Sequence, residues 1–125
     1  MLKVYTYANC NTCRKALKFL RDRKITFEEF AIRETPPPRT ELEAMLNARG
    51  KIRGLFNTSG ADYKALGLSE RLSKISETEA LELLASNGNL VKRPFVSGDG
   101  VNLVGFDEVE WRAAFARILS GERVS

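Results

Sequence analysis

An alternating apolar stretch, Leu2 to Tyr7, runs straight into Cys10-Asn11-Thr12-Cys13 and then into a helical pattern, so the only two cysteines fall at a strand-to-helix junction. A second strand-like stretch, Ile25 to Phe30, follows the helix. Strand, helix and strand in that order, with a crossover of this length, imply a parallel pair joined right-handedly. Cys13, Ala16, Leu17 and Leu20 recur at helical spacing and form one apolar stripe that begins at Cys13. Cys10 stands three residues earlier, at the mouth of the helix. There the free backbone N–H groups and the positive end of the helix dipole favour a thiolate, the nucleophilic form of cysteine.

The remaining pattern adds a helical block and a hairpin. Pro36-Pro37-Pro38 cannot continue a helix interior or a central strand and marks a stiff extended connector. Thr40-Glu41-Leu42-Glu43 matches a capping box, with Leu42, Met45 and Leu46 on the apolar face and Gly50 as the stop. Ile52 to Phe56 reads as a short helical turn, Asn57-Thr58-Ser59-Gly60 as a loop and Tyr63 to Leu68 as a short helix. Ser76-Glu77-Thr78-Glu79 is a second capping box, opening a helix that closes near Gly88. Phe95 to Ser97 and Val101 to Val104 flank Ser97-Gly98-Asp99-Gly100, which reads as an antiparallel hairpin. Asp107 and Glu110 open a last helix carrying Trp111, Phe115, Ile118 and Leu119 on one side, with Gly121 as its stop. The expected fold is therefore α/β, with the helical block of about residues 40–89 inserted between the second and third strands of a four-stranded mixed sheet.

With 125 residues, 43% of them hydrophobic, the chain suits one domain with a real core. No apolar run approaches the roughly 18 residues of a membrane span, and Met1-Leu2-Lys3 leads into a strand rather than a signal peptide, so a soluble cytoplasmic protein is expected. The net charge of +4 leaves an anionic partner open. Its main contributors, Lys15, Lys18, Arg21, Arg23 and Lys24, also match a solvated helix face. No recognition-helix pattern or interleaving of aromatic and basic residues points to direct DNA binding.

The chain has no histidine and no third cysteine, so it cannot complete a structural zinc site by itself, and no metal is expected. C-x-x-C spacing at a helix start, in a β-α context, points instead to redox chemistry. Cys10 is then the attacking thiolate and Cys13 the resolving thiol, because attack requires access whereas resolution requires only proximity. Arg14, one turn beyond Cys10, is a candidate to hold the thiolate or an incoming anion, the alternative being a solvated cation. Lys92-Arg93-Pro94 leads into the hairpin, and for Pro94 the residues alone favour the ordinary trans bond.

Cys10-Asn11-Thr12-Cys13-Arg14 after a strand, Tyr63 to Leu68 before a capped helix, and Leu90-Val91-Lys92-Arg93-Pro94 before a hairpin resemble the arsenate reductase-like family, which includes the Spx-type regulators. The resemblance spans nearly the whole chain. It implies a thioredoxin-like fold with a helical insert over residues 1–125, an active Cys10, an Arg93 facing it and a cis Pro94. The substrate-binding set is then Asn11, Thr12, Arg14, Arg93 and Pro94, and the substrate is a small oxyanion or a disulfide. Glutathione or glutaredoxin serves as co-substrate or partner, and no bound cofactor is expected. The Spx-type branch implies an alternative, in which the cysteine pair is a redox switch on a regulator that binds RNA polymerase.

The chain also departs from the reductases. They carry one further arginine in the segment where Leu55-Phe56-Asn57 stands here, and another where Val104-Gly105-Phe106 stands. The reductases typically rely on one cysteine with external glutathione, whereas Cys13 supplies an internal thiol. A phosphatase-loop type of arsenate reductase, built on C-x5-R, is excluded because Ala16 stands six residues after Cys10. The departures weigh towards disulfide chemistry.

Overall fold

A computed structural model describes residues 1–119. Its sheet runs in the order β2-β1-β3-β4 and comprises β1 (Leu2–Thr6), β2 (Phe27–Ala31), β3 (Phe95–Gly98) and β4 (Val101–Val104). β1 pairs parallel with β2, placing Leu2 opposite Phe27 and Thr6 opposite Ala31, and antiparallel with β3; β3 and β4 form the antiparallel hairpin. Helix α1 (Asn11–Asp22) is the crossover. Between β2 and β3 lie α2 (Arg39–Arg49), α3 (Ala61–Ala65), α4 (Leu68–Arg71) and α5 (Glu77–Ser86), with 3-10 turns at Ile52–Leu55 and Gly88–Leu90. Helix α6 (Glu108–Leu119) closes the described chain. This is the mixed sheet with a helical insertion expected from the sequence. The expected stop at Gly121 lies outside the described residues.

Alternation along the strands gives each face of the sheet its own core. Leu2 and Val4 of β1, with Val96 and Leu103, pack against Ala16, Phe19 and Leu20 of α1 and Trp111 and Phe115 of α6. Tyr5, Phe95 and Val104 face the insertion, against Leu42, Met45, Leu55, Leu84 and Leu90. The insertion is thus a structural layer over one side of the sheet.

Three local expectations shift. Thr40 does not cap α2, because the helix starts at Arg39 and its N-cap is Pro38, held extended at φ −69° and ψ 160° with no side-chain cap bond. The Pro38 carbonyl accepts directly from Glu41 N and Leu42 N, and Glu41 is drawn across to the sheet, where it accepts from Lys3 Nζ at 3.0 Å and Tyr5 Oη at 2.9 Å. β2 begins two residues later than expected, because Ile25 N donates to Leu20 O and Lys24 N to Arg21 O around a left-handed Lys24 at φ 56°. That pattern is a Schellman closure of α1, and it uses Ile25 as cap rather than strand. Tyr63 to Leu68 is interrupted by Gly67 at φ 63°, which splits the segment into α3 and α4.

The expected cap of α5 holds, with Ser76 Oγ accepting from Glu79 N at 3.1 Å. So does the cap of α6, where Asp107 Oδ1 accepts from Val109 N at 3.0 Å and Glu110 N at 3.3 Å. Trp111, fully buried, donates from Nε1 to Gly105 O at 3.1 Å, and Gly105 N donates to Pro94 O at 2.9 Å. These two bonds fix the segment after β4 against the start of β3.

Candidate active site

Cys10 is the N-cap of α1. β1 ends at Thr6, the chain turns with Cys10 N donating to Tyr7 O at 3.2 Å, and Cys10 takes extended angles of φ −114° and ψ 111° before the helix starts. Its Sγ then accepts from Cys13 N at 3.2 Å. A sulfur thus occupies the capping place usual for a Ser or Asp oxygen, with no acid in the first turn competing for the helix's positive end.

Both cysteines are free; Cys10 is partly exposed and Cys13 is buried. Burial alone would push the Cys10 thiol up, but donation from the Cys13 thiol and amide, together with the Arg93 guanidinium beside it, brings it below its ordinary value. Burial and the neighbouring Cys10 sulfur push Cys13 up, to about 12. The pair therefore sets an accessible thiol that ionises more readily than usual against a buried one that holds its proton.

Cys10 opens onto a cleft of about 590 Å³, whose walls include Thr12, Asn57, Lys92, Arg93 and Glu110. Asn11 and Arg14 are not on that wall. Arg14 donates to Asn11 Oδ1 at 2.8 Å and Ala8 O at 3.1 Å, bracing the turn before the helix, and lines a separate groove with Thr6 and Glu29. The structure thus brings Cys10, Thr12 and Arg93 to one cleft, with Cys13 bonded to Cys10 from the first turn of α1 and lining the groove that Arg14 shares, while Pro94 is buried next to Arg93 in the chain. The Arg93–Pro94 bond is cis, as the family resemblance implies and in contrast to the trans form the residues alone favour.

Charge in the cleft is asymmetric. Glu110 is paired with Arg49 at 3.0 Å, and Asp107 is engaged in capping α6. Among the described residues neither Lys92 nor Arg93 is in an ion pair. The field at Cys10 is therefore positive, which favours both the thiolate and an anionic substrate.

Sequence reasoning passed over Lys92, Asn57, Tyr7 and Arg33. Gly105, in the segment where the resemblance implies an arginine, has φ +71°, and a Cβ there would lie 3.0 Å from Lys92 Cε. The Lys92 stem thus packs over Gly105. Its adjacency to Arg93 was the available signal. Arg33 carried none, since it precedes the prolines in what reads as a connector. Among the described residues no group of three or more His, Cys, Asp or Glu side chains is placed to hold a metal ion.

A parallel β-α-β unit with a cysteine pair at its helix start, an antiparallel hairpin and a cis proline just before that hairpin define a thioredoxin-like protein. The chain belongs to the ArsC family, whose model matches residues 5–114. It is 42% identical over 116 residues to the YusI protein of Bacillus subtilis strain 168, covering 92% of this chain and 98% of that one. It is 28% identical over 118 residues to the global transcriptional regulator Spx 2 of Lactococcus lactis strain IL1403, covering 94% and 88%. Among solved structures, an ArsC family related protein from Bacteroides fragilis superposes with a TM-score of 0.84 at 39% identity, covering 90% of this chain and 96% of that one. Among the described residues no helix is long and apolar enough to cross a membrane.

Proposed function

We propose that the protein is a cytoplasmic thiol-disulfide reductase of the arsenate reductase-like type, with Cys10 as nucleophile and Cys13 as resolving thiol. The Cys10 thiolate attacks one sulfur of a small disulfide, forming a mixed disulfide and expelling the other half as a thiolate. Cys13 then gives up its proton, and its sulfur attacks Cys10 Sγ, closing the Cys10–Cys13 disulfide and releasing the second half, which takes up a proton. The substrate gains two electrons and the protein loses two. Two equivalents of glutathione, or one of reduced glutaredoxin, restore the dithiol.

The observation carrying this reading is the 3.2 Å bond from Cys13 N to Cys10 Sγ, which ties the stabilised sulfur to the residue bearing the second thiol. A disulfide is favoured over arsenate by the lack of arginine in Leu55-Phe56-Asn57 and Val104-Gly105-Phe106, segments where the resemblance implies guanidiniums that grip a doubly or triply charged oxyanion.

Alkylation of Cys10 by iodoacetamide as a function of pH tests it. Only the thiolate reacts, so the rate climbs with pH and levels off above the Cys10 pKa; a depressed pKa moves that plateau to lower pH. The expected midpoint lies clearly below the ordinary ~8.5. Arg93→Leu removes a group that stabilises the anion and should raise the midpoint. A wild-type midpoint at the ordinary value would remove the basis of the assignment.

The Spx likeness supports a second reading, in which the same cysteine pair switches a regulator that binds RNA polymerase. Capture of polymerase by the immobilised protein, before and after oxidation with diamide, separates the two. A reductase captures no polymerase in either state; capture that depends on the redox state would favour the regulator.

A further inference from the structure

Arg33 and Arg93 come from distant parts of the chain and meet at one ring. Arg33 follows β2, in the turn leading to the prolines, and Arg93 precedes β3. The Arg33 guanidinium carbon lies 5.3 Å from the centroid of the Tyr7 ring and that of Arg93 lies 4.6 Å from it. Arg33 Nη1 also donates to Tyr7 Oη at 3.2 Å. Both guanidiniums line a groove of about 240 Å³ beside the Cys10 cleft, and Asn57 and Arg93 belong to both.

Two like charges gathered at one aromatic ring repel each other, and the ring's negative face offsets only part of that cost. Among the described residues neither arginine is in an ion pair. Asp62 shares the groove, but its Oδ2 accepts from Asn87 Nδ2 at 3.0 Å and Asn89 Nδ2 at 3.2 Å. A guanidinium has five N–H donors, and of Arg33's one is engaged by Tyr7. The pair thus turns unengaged, charged donors into a groove that adjoins the reacting sulfur.

We propose that Arg33 and Arg93 together hold an anionic group, a carboxylate or a tetrahedral oxyanion, carried by or accompanying the substrate that reacts at Cys10. The assignment rests on the reading of Cys10 as the nucleophile and specifies its substrate class: small and anionic, with the charge close to the reacting atom. Arg93 serves both parts, touching the thiolate on one side and the bound anion on the other. Arg33 is the specificity-determining residue, since it reaches the anion groove and lies outside the Cys10 cleft.

The test is a binding measurement on the reduced protein that needs no sulfur chemistry. S-Methylglutathione, with carboxylates and a blocked sulfur, and inorganic phosphate are titrated separately while the arginine Nε–Hε resonances are followed. The Arg33 and Arg93 signals should move together along one saturating curve. Arg33→Leu should weaken binding by about threefold or more, and Arg33→Lys should recover part of the loss. Saturation by S-methylglutathione alone assigns the groove to a thiol-borne carboxylate; saturation by phosphate as well assigns it to oxyanions generally. An unmoved Arg33 signal with both ligands, or unchanged affinity in Arg33→Leu, overturns the proposal. A low alkylation midpoint at Cys10 alongside that failure leaves the reductase reading standing, whereas an ordinary midpoint with intact anion binding removes the reductase reading alone.

Discussion

Cys10→Ser will lower the rate of disulfide cleavage by about a thousandfold or more, with the fold intact, because a serine hydroxyl does not ionise at neutral pH and only the sulfur anion attacks. The capping geometry survives the change, since serine is itself a favoured N-cap and its oxygen can accept from Cys13 N in place of sulfur. Thermal unfolding of the variant should therefore match or exceed that of wild type, separating loss of chemistry from loss of structure. Cys13→Ser gives the complementary result: the first attack proceeds and the reaction stops at a mixed disulfide on Cys10, visible by mass spectrometry as a stable adduct. If Cys10→Ser retains wild-type rates, the nucleophile is elsewhere. If Cys13→Ser turns over without accumulating adduct, an external thiol does the resolving.

Gly88→Ala will destabilise the protein by about 3 to 5 kcal/mol, and the melting temperature should fall by about 10 °C or more. A Cβ built at Gly88 would lie 1.8 Å from Ile32 O and 2.7 Å from Ile32 C, both backbone atoms that no rotamer change can move. The adjoining side chain, Ile32, is fully buried, and its N–H donates to Thr6 O at 2.9 Å, so the segment has no free direction in which to retreat. Gly54→Ala is the control, since a Cβ there meets nothing within 4 Å, and its stability should stay within about 0.5 kcal/mol of wild type. Urea unfolding of both variants decides the point; equal stability would mean that the insertion does not need to press so closely on the chain after β2. The contact also bears on the site, because the same backbone carries Arg33 one residue beyond Ile32 and Arg93 five beyond Gly88.

The cysteine pair and its helix start were legible because they are local. Strand alternation, the C-x-x-C spacing and the apolar stripe from Cys13 all lie within the first twenty residues, and each follows from short-range geometry. The hairpin and the caps at Ser76 and Asp107 were readable for the same reason. The meeting of Arg33 with Arg93 was not, because Arg33, Tyr7 and Arg93 are brought together only by the parallel pairing of β1 with β2 and the antiparallel pairing of β1 with β3. No spacing in the chain encodes that meeting. Thr40 misled because a capping box describes a competition between one side chain and the backbone, and Pro38 with the distant Lys3 and Tyr5 decided it otherwise. Gly88 read as a helix stop, while its neighbour across space, Ile32, is what forbids a side chain there.

The backbone N–H that steadies the Cys10 sulfur and the thiol nearest to it in the chain belong to one residue. In the proposed reaction, how readily the site starts and how promptly it finishes consequently both depend on a single spacing. Lengthening or shortening the loop between the two sulfurs would disturb both at once, so a descendant could not acquire a more reactive first sulfur that way without also resetting the reduction potential of the pair.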